Sequence, residues 1–272
     1  RFSAGAALTL SAFVRGALTA LGAAASSVTA AGHAGTAVHV HVNVRDARAA
    51  GAPLTAREIL RVVCWWVRFD AVTARFARPW CWRDHYCAPL HATGAEPAEP
   101  AWDASPTVEA WTAEATDSSA AARATRRIHQ HLPAFVRAAH AAVHAVDFAA
   151  LSEADQVERL VAASGAGRAN MGRYCSLNVY ALGRLGTLEF RRFHGTLDAA
   201  LLIRWAHFCV AFVDAFAAAP WSPIEDCRTA DEALHELAAA QEAATPEELM
   251  QRMRGHVDPQ TSSYFMRAAL GG

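Results

Sequence analysis

The chain has 272 residues, of which 53% are hydrophobic and 19% are charged, so it is long and apolar enough to bury a sizeable core. All 25 basic residues are arginine. The absence of lysine excludes enzymes that depend on a Schiff-base lysine or on the lysine of a phosphate-binding P-loop.

The formal net charge of −1 is unevenly distributed along the chain. Residues 1–91 carry 10 arginines and 4 acids, and residues 123–220 carry 11 arginines and 7 acids, whereas 92–122 and 221–272 are acidic. Arginine-rich segments suit an anionic small ligand such as a nucleotide or a carboxylate. No basic run or basic helix stands out, which argues against a nucleic-acid partner.

The six cysteines do not form a disulfide framework in a chain of this length, which favours a reducing cytoplasm. The first thirty residues are apolar, but Arg15 interrupts them, and we expect an amphipathic helix over 5–27 rather than a signal peptide. The apolar run 199–219 is long enough to cross a membrane. It contains ionisable residues that are costly in lipid, so we expect a buried core helix and no membrane partner.

The most regular stretch is TAVHVHVNV, residues 36–44, which predicts a strand. Side chains alternate along a strand, so the valines share one face while His39, His41 and Asn43 share the other. The valine face is expected to join the core. The polar face is either the solvated side of a sheet or a metal or phosphate site.

Further along the chain, Thr55 and Glu58 form the capping-box pattern of a helix that runs to about Phe76. The other predicted elements, in chain order, are an aromatic-rich loop over 79–91, a surface insertion over 92–122, a helix over 123–146, a helix from Ser152 to about Ser164, strands over 173–181 and 185–194, a long apolar helix opened by Thr196, and an acidic helical tail over 229–272. This order predicts an α+β domain with a mostly antiparallel sheet.

The second informative strand contains GTLEFRRFH. Thr187, Glu189 and Arg191 share one of its faces, and a glutamate beside an arginine often forms only a salt bridge. Next to the histidine strand, however, Glu189 could hold a divalent cation and Arg191 could neutralise a phosphate. In RYCSLN, Asn178 faces away from Arg173 on a regular strand, so the pattern does not bring these two together.

The ordered motifs AGTAVHVHVNV, LTAREILRVV, DHYCAPL, RYCSLNVYAL and GTLEFRRFHGTLD resemble the amidoligase family. These proteins are carboxylate–amine ligases with a glutamine synthetase-like fold. The resemblance covers roughly residues 30–215 and implies a single domain over 1–272. The implied fold is a curved, mostly antiparallel sheet of glutamine synthetase-like type with helices packed on one face.

The resemblance also implies a reaction. ATP and Mg²⁺ or Mn²⁺ would lie on the open face of the sheet. A carboxylate would attack the γ-phosphate of ATP to give an acyl phosphate, and an amine would then displace the phosphate. The substrates would be small-molecule or peptide carboxylates and amines.

The resemblance assigns roles to polar residues of the three strands. Glu189, Arg191 and Arg173 would be catalytic, the two arginines by binding phosphate or the substrate carboxylate. The metal would be held by His39, His41 and Glu189. Nucleotide contacts would come from His39, His41, Asn43, Asn178 and His194.

One departure from the family pattern concerns the first strand, which in these ligases carries paired metal-binding glutamates. Residues 1–30 contain no acid. We expect the acidic strand to lie before Arg1, and its loss would weaken or abolish the activity of this polypeptide. The alternative is a degenerate binding protein that kept the ligase fold and lost its chemistry.

Two other site types are open alternatives. A metal-dependent hydrolase can use a histidine pair on a strand of a (β/α)₈ barrel, but this chain lacks the eightfold alternation and the usual lysine. Cys81, His85, Cys87 and His91 have the ligand types of a zinc knuckle in an uncommon spacing. Packing of the two cysteines beneath aromatic residues is the simpler interpretation.

Overall fold

A small antiparallel sheet and a larger set of helices make up the fold. The computed structural model describes residues 16, 37–46, 52–77, 90, 131–165, 175–196 and 198–270. The strands are β1 (Ala37–Asn43), β2 (Leu177–Asn178) and β3 (Thr187–His194). The helices are α1 (Ala56–Ala74), α2 (His131–Val143), α3 (Glu153–Gly165), α4 (Ala181–Leu185), α5 (Ala199–Ala217), α6 (Pro223–Asp226), α7 (Ala230–Glu242), α8 (Pro246–Arg252) and α9 (Pro259–Leu270). The predicted α+β class is confirmed.

The alternation predicted for β1 is confirmed. His39 and His41 are exposed, whereas Val42 and the following Val44 are buried in the core. Period-2 geometry therefore gives β1 one apolar face and one polar face, as the valine spacing requires.

The strands are ordered β1-β3-β2, and both outer strands run antiparallel to β3. Glu189 of β3 lies opposite His41 on one side and opposite Asn178 on the other. The pairing of β1 with β3 shifts register between Val38 and Val40, which indicates a β-bulge. The register places Glu189 between two polar neighbours on adjacent strands.

The strand predicted over 173–181 is much shorter in the structure. Among its described residues, only Leu177–Asn178 form a strand, and α4 begins at Ala181. The Asn178 side chain accepts a hydrogen bond from the Ala181 backbone N–H at 3.3 Å, and Val179 accepts one from Leu182 at 3.0 Å. These bonds turn the chain away from the sheet directly after Asn178.

Helix α1 begins where the capping box predicts. The Thr55 hydroxyl accepts from the Glu58 backbone N–H, and the Glu58 carboxylate accepts from the Thr55 N–H at 2.7 Å. The helix buries Trp66, whose ring packs edge-on against Phe190 of β3 and Phe212 of α5 at 4.9 and 5.1 Å between centroids. The core thus lies between the valine face of the sheet and these two helices.

Helix α5 begins two residues later than predicted. Its N-cap is Asp198 rather than Thr196, because the Asp198 carboxylate accepts hydrogen bonds from the backbone N–H groups of Ala200 and Leu201. The helix has the length and hydropathy of a membrane span, with 44% of its apolar window buried within the protein. Part of the core consists of its aromatic side chains Trp205, Phe208, Phe212 and Phe216.

The segment predicted as an acidic helical tail over 229–272 contains α7, α8 and α9. Their apolar residues join the core, since Leu237, Leu249 and Phe265 are fully buried. The Gln241 side chain donates to the backbone carbonyls of Val67 and Leu90 at 2.8 and 2.6 Å. These helices are therefore integrated into the fold.

Other predictions fall on residues outside the described part of the chain. They concern the N-terminal helix apart from Gly16, which is helical, the aromatic loop 79–91 apart from Leu90, the zinc-knuckle alternative within that loop, the insertion 92–122, and Arg173.

Candidate functional site

The open face of the sheet carries a polar cluster centred on Glu189, whose side chain is only 8% exposed. Arg191 Nη1 donates to Glu189 Oε1 at 2.6 Å, and His39 Nδ1 lies 2.9 Å from the same oxygen. Asn178 Nδ2 donates to the other oxygen, Oε2, at 2.5 Å. Residues from all three strands thus meet at one carboxylate.

His41 forms the rim of this cluster. Its Nδ1 lies 2.9 Å from the Thr187 hydroxyl, and its Nε2 lies 3.7 Å from Glu189 Oε1. The contact with Thr187 fixes the orientation of the imidazole ring. The side chain is 37% exposed, so a ligand on the open face can reach it.

The cluster holds Glu189 in its ionised form. Burial by itself raises the pKa of this carboxyl, because it removes the charged form from water. Hydrogen bonds from His39 and Asn178 and the charge of Arg191 outweigh burial and lower the pKa to about 2. Glu189 is therefore a carboxylate whose two oxygens are both engaged by protein donors.

Backbone contacts fix the strands that carry these side chains. The Arg191 N–H donates to the Ser176 carbonyl at 2.8 Å. Gly186, with φ of +64°, ends α4 in the left-handed conformation directly before β3. Its carbonyl accepts from the Val44 N–H at 3.0 Å, which ties the end of β1 to the start of β3.

Behind the sheet lies a buried charged network that the sequence reasoning missed. Asp70 of α1 and Arg192 of β3 form an ion pair at 2.5 Å, and their side chains are 1% and 0% exposed. The Ser176 hydroxyl donates to the same Asp70 oxygen and accepts from Trp66 Nε1. The detectable signal was a lone acid inside the apolar run VVCWWVRFDAV.

Asn43 and His194 are predicted site residues that the structure does not bring into this cluster. The Asn43 side chain serves the turn after β1, where its oxygen accepts from the backbone N–H groups of Arg45 and Asp46. His194 is buried beside Phe193, five residues along β3 from Glu189. Arg173 lies outside the described residues.

The side chains of the cluster include possible metal ligands. Within the described ranges, no group of three or more His, Cys, Asp or Glu side chains is arranged to hold a metal ion. His39 Nδ1 and Glu189 Oε1 are nevertheless 2.9 Å apart, close to the roughly 3 Å between adjacent ligands of an octahedral ion with bonds of about 2.1 Å. A cation shared by this pair would have to compete with Arg191, whose Nη1 contacts both atoms.

The cluster can therefore offer imidazole and carboxylate ligands to a cation and a guanidinium to an oxyanion, all on one solvent-facing surface. Comparison with known proteins gives no match to a protein-family model, a curated protein or a solved structure.

Proposed function

We propose that the chain is an ATP-dependent carboxylate–amine ligase built on a glutamine synthetase-like sheet. The observation that carries this proposal is the convergence of Glu189, His39 and Arg191 on the open face of adjacent antiparallel strands. A carboxylate and imidazoles suit a phosphate-bound cation, and a neighbouring arginine suits the phosphate itself. The ordered sequence motifs support the same function.

In the proposed reaction a substrate carboxylate oxygen attacks the γ-phosphorus of ATP, and ADP leaves. The amine nitrogen then attacks the carbonyl carbon of the acyl phosphate, loses a proton and releases inorganic phosphate. Such a step requires positioning and charge stabilisation rather than a protein nucleophile.

Each residue of the cluster has a distinct role in this proposal. Glu189, His39 and His41 would hold Mg²⁺ or Mn²⁺, which neutralises phosphate charge when bound. Arg191 would bind the transferring phosphoryl group or the substrate carboxylate. Asn178 would act through Glu189, because its carboxamide orients that carboxylate.

A trapping experiment tests the proposed chemistry. The protein is incubated with ATP, Mn²⁺, hydroxylamine and a panel of small-molecule and peptide carboxylates, because hydroxylamine converts an acyl phosphate to a hydroxamate. We expect ATP-dependent hydroxamate with at least one carboxylate, and its loss in His39→Ala, His41→Ala and Glu189→Ala. Arg184→Gln, a change of an exposed residue of α4, is the control that should keep the activity.

A second candidate function is a binding protein that holds a metal-bound nucleotide without turning it over. The observation in its favour is that residues 1–30 contain no acid, whereas the ligases that the motifs resemble carry paired metal-binding glutamates on their first strand. Metal-dependent ATP binding without hydroxamate from any carboxylate of the panel would favour this function over the ligase.

A further inference from the structure

Arg191 contacts both Glu189 and His39 in the cluster. Its Nη1 is 2.6 Å from Glu189 Oε1 and 3.2 Å from His39 Nδ1, and those two atoms are 2.9 Å from each other. The guanidinium nitrogen thus lies against the same two atoms that a shared cation would bind. Arg191 and a bound cation therefore cannot both hold this pair.

Electrostatics makes the exclusion stronger. A divalent ion on Glu189 would face the fixed positive charge of the guanidinium at contact distance, in a setting where the arginine and glutamate side chains are only 12% and 8% exposed. Charges that are partly removed from water interact more strongly than exposed ones. A cation that binds Glu189 and His39 therefore competes with the arginine for the carboxylate oxygen.

The solvent-exposed side of the cluster is the side of β1. His39, which contacts Arg191, is 34% exposed and lies on β1, at the outer edge of the described sheet. A guanidinium released towards this side keeps its charge and its paired donors. Its natural new partner is an oxyanion, a phosphate or a carboxylate, which guanidinium binds in bidentate fashion.

From this geometry we infer that Arg191 is a displaceable counter-ion that couples cation binding to oxyanion binding. Without ligands it neutralises Glu189. A cation that takes Glu189 and His39 releases Arg191, and an oxyanion then holds the released side chain. Each ligand consequently strengthens the binding of the other, as reciprocal coupling requires. The inference rests on the site of the proposed function, but it does not depend on turnover.

Calorimetric titration with Mn²⁺ alone tests the first half of the inference. We expect Arg191→Gln to bind Mn²⁺ on the order of tenfold more tightly than the parent, because the internal competitor is gone. Arg184→Gln removes the same charge from exposed α4 and should bind Mn²⁺ like the parent. Circular dichroism confirms that each variant is folded. Equal or weaker Mn²⁺ binding by Arg191→Gln overturns the inference, as does the absence of Mn²⁺ binding in all three proteins.

The second half is tested by repeating the Mn²⁺ titration in the presence of sulfate, which serves as the oxyanion. The unsubstituted parent protein can be used directly for this test. Sulfate should strengthen Mn²⁺ binding to the parent and to Arg184→Gln, and it should have no such effect on Arg191→Gln. A parent without this sulfate effect contradicts the coupling. If these results hold while no carboxylate gives hydroxamate, the ligase proposal fails and the role of Arg191 stands.

Discussion

The carboxylate of Glu189 illustrates how far a single residue depends on its neighbours. Its polar contacts come from β1, β2 and its own strand, and they keep it ionised although it is mostly buried. A buried carboxylate that has partners stabilises the fold only while it remains charged.

This residue leads to a prediction of pH dependence. The pKa of Glu189 falls from its ordinary 4.5 in the unfolded chain to about 2 in the folded protein. Its contribution to stability is therefore fully present above about pH 4.5 and is lost as the pH falls towards 2. We expect Glu189→Gln to be less stable than the parent at pH 7, with a gap that narrows over this window. Urea unfolding at a series of pH values measures the gap, and a gap independent of pH would contradict the assignment.

At the residue scale, the sequence predicts some of the residues described above and gives no clear signal for others. His39, His41 and Glu189 could be assigned to the open face because side chains alternate along both strands at these positions. Asp70 and Arg192 could not be paired, because a buried ion pair between a helix and a strand leaves no periodic signal in either segment. Asn43 was placed on the correct face, but its side chain is used by the turn that follows β1.

At the scale of elements, Gly186 links the end of α4 to the start of β3. Its φ of +64° lies in the left-handed region, and an added Cβ would stand 3.0 Å from the Cβ of Arg45. We expect Gly186→Ala to cost about 1–2 kcal/mol of stability for the backbone alone and to weaken Mn²⁺ binding by shifting Glu189.

The matched control for this prediction is Gly255, which has φ of +86° and nothing within 4 Å of an added Cβ. Gly255→Ala carries a similar backbone strain in a turn of the C-terminal part, so it should lose stability without loss of Mn²⁺ affinity. Equal Mn²⁺ affinities in the two alanine variants would show that the turn at Gly186 does not position the site.

Elements with strong local signals were predicted closely. The capping box of Thr55 and Glu58 fixed the start of α1, and valine alternation fixed β1. The strand around Leu177 was overestimated, because the bond between the Asn178 side chain and the Ala181 backbone ends it. That bond depends on a turn that is flanked by apolar residues on both sides, so the local sequence does not predict it.

At the scale of the whole molecule, the ion pair of Asp70 and Arg192 joins the main core helix to the back of the sheet. The Leu90 N–H also donates to Asp70, at 3.0 Å, so the pair fixes a third segment. Removing one partner of a buried pair leaves the other charge without compensation.

We expect Arg192→Met to lower the free energy of unfolding by about 3–5 kcal/mol. Adding Asp70→Asn to that variant removes the uncompensated charge of Asp70. The double variant should therefore lose less stability than the sum of the losses in the two single variants. A double-mutant cycle by urea unfolding measures this coupling. Additive losses would mean that the two side chains contribute independently.

The proposed ligase function depends on ATP binding through a cation that the Glu189 cluster would hold. The most direct test is calorimetric titration of ATP into the parent protein and into Glu189→Ala, each with and without Mn²⁺. We expect ATP binding by the parent that requires Mn²⁺ and is lost in Glu189→Ala. Circular dichroism should show that Glu189→Ala is folded. ATP binding that is indifferent to Mn²⁺, or equal in the two proteins, would contradict the claim.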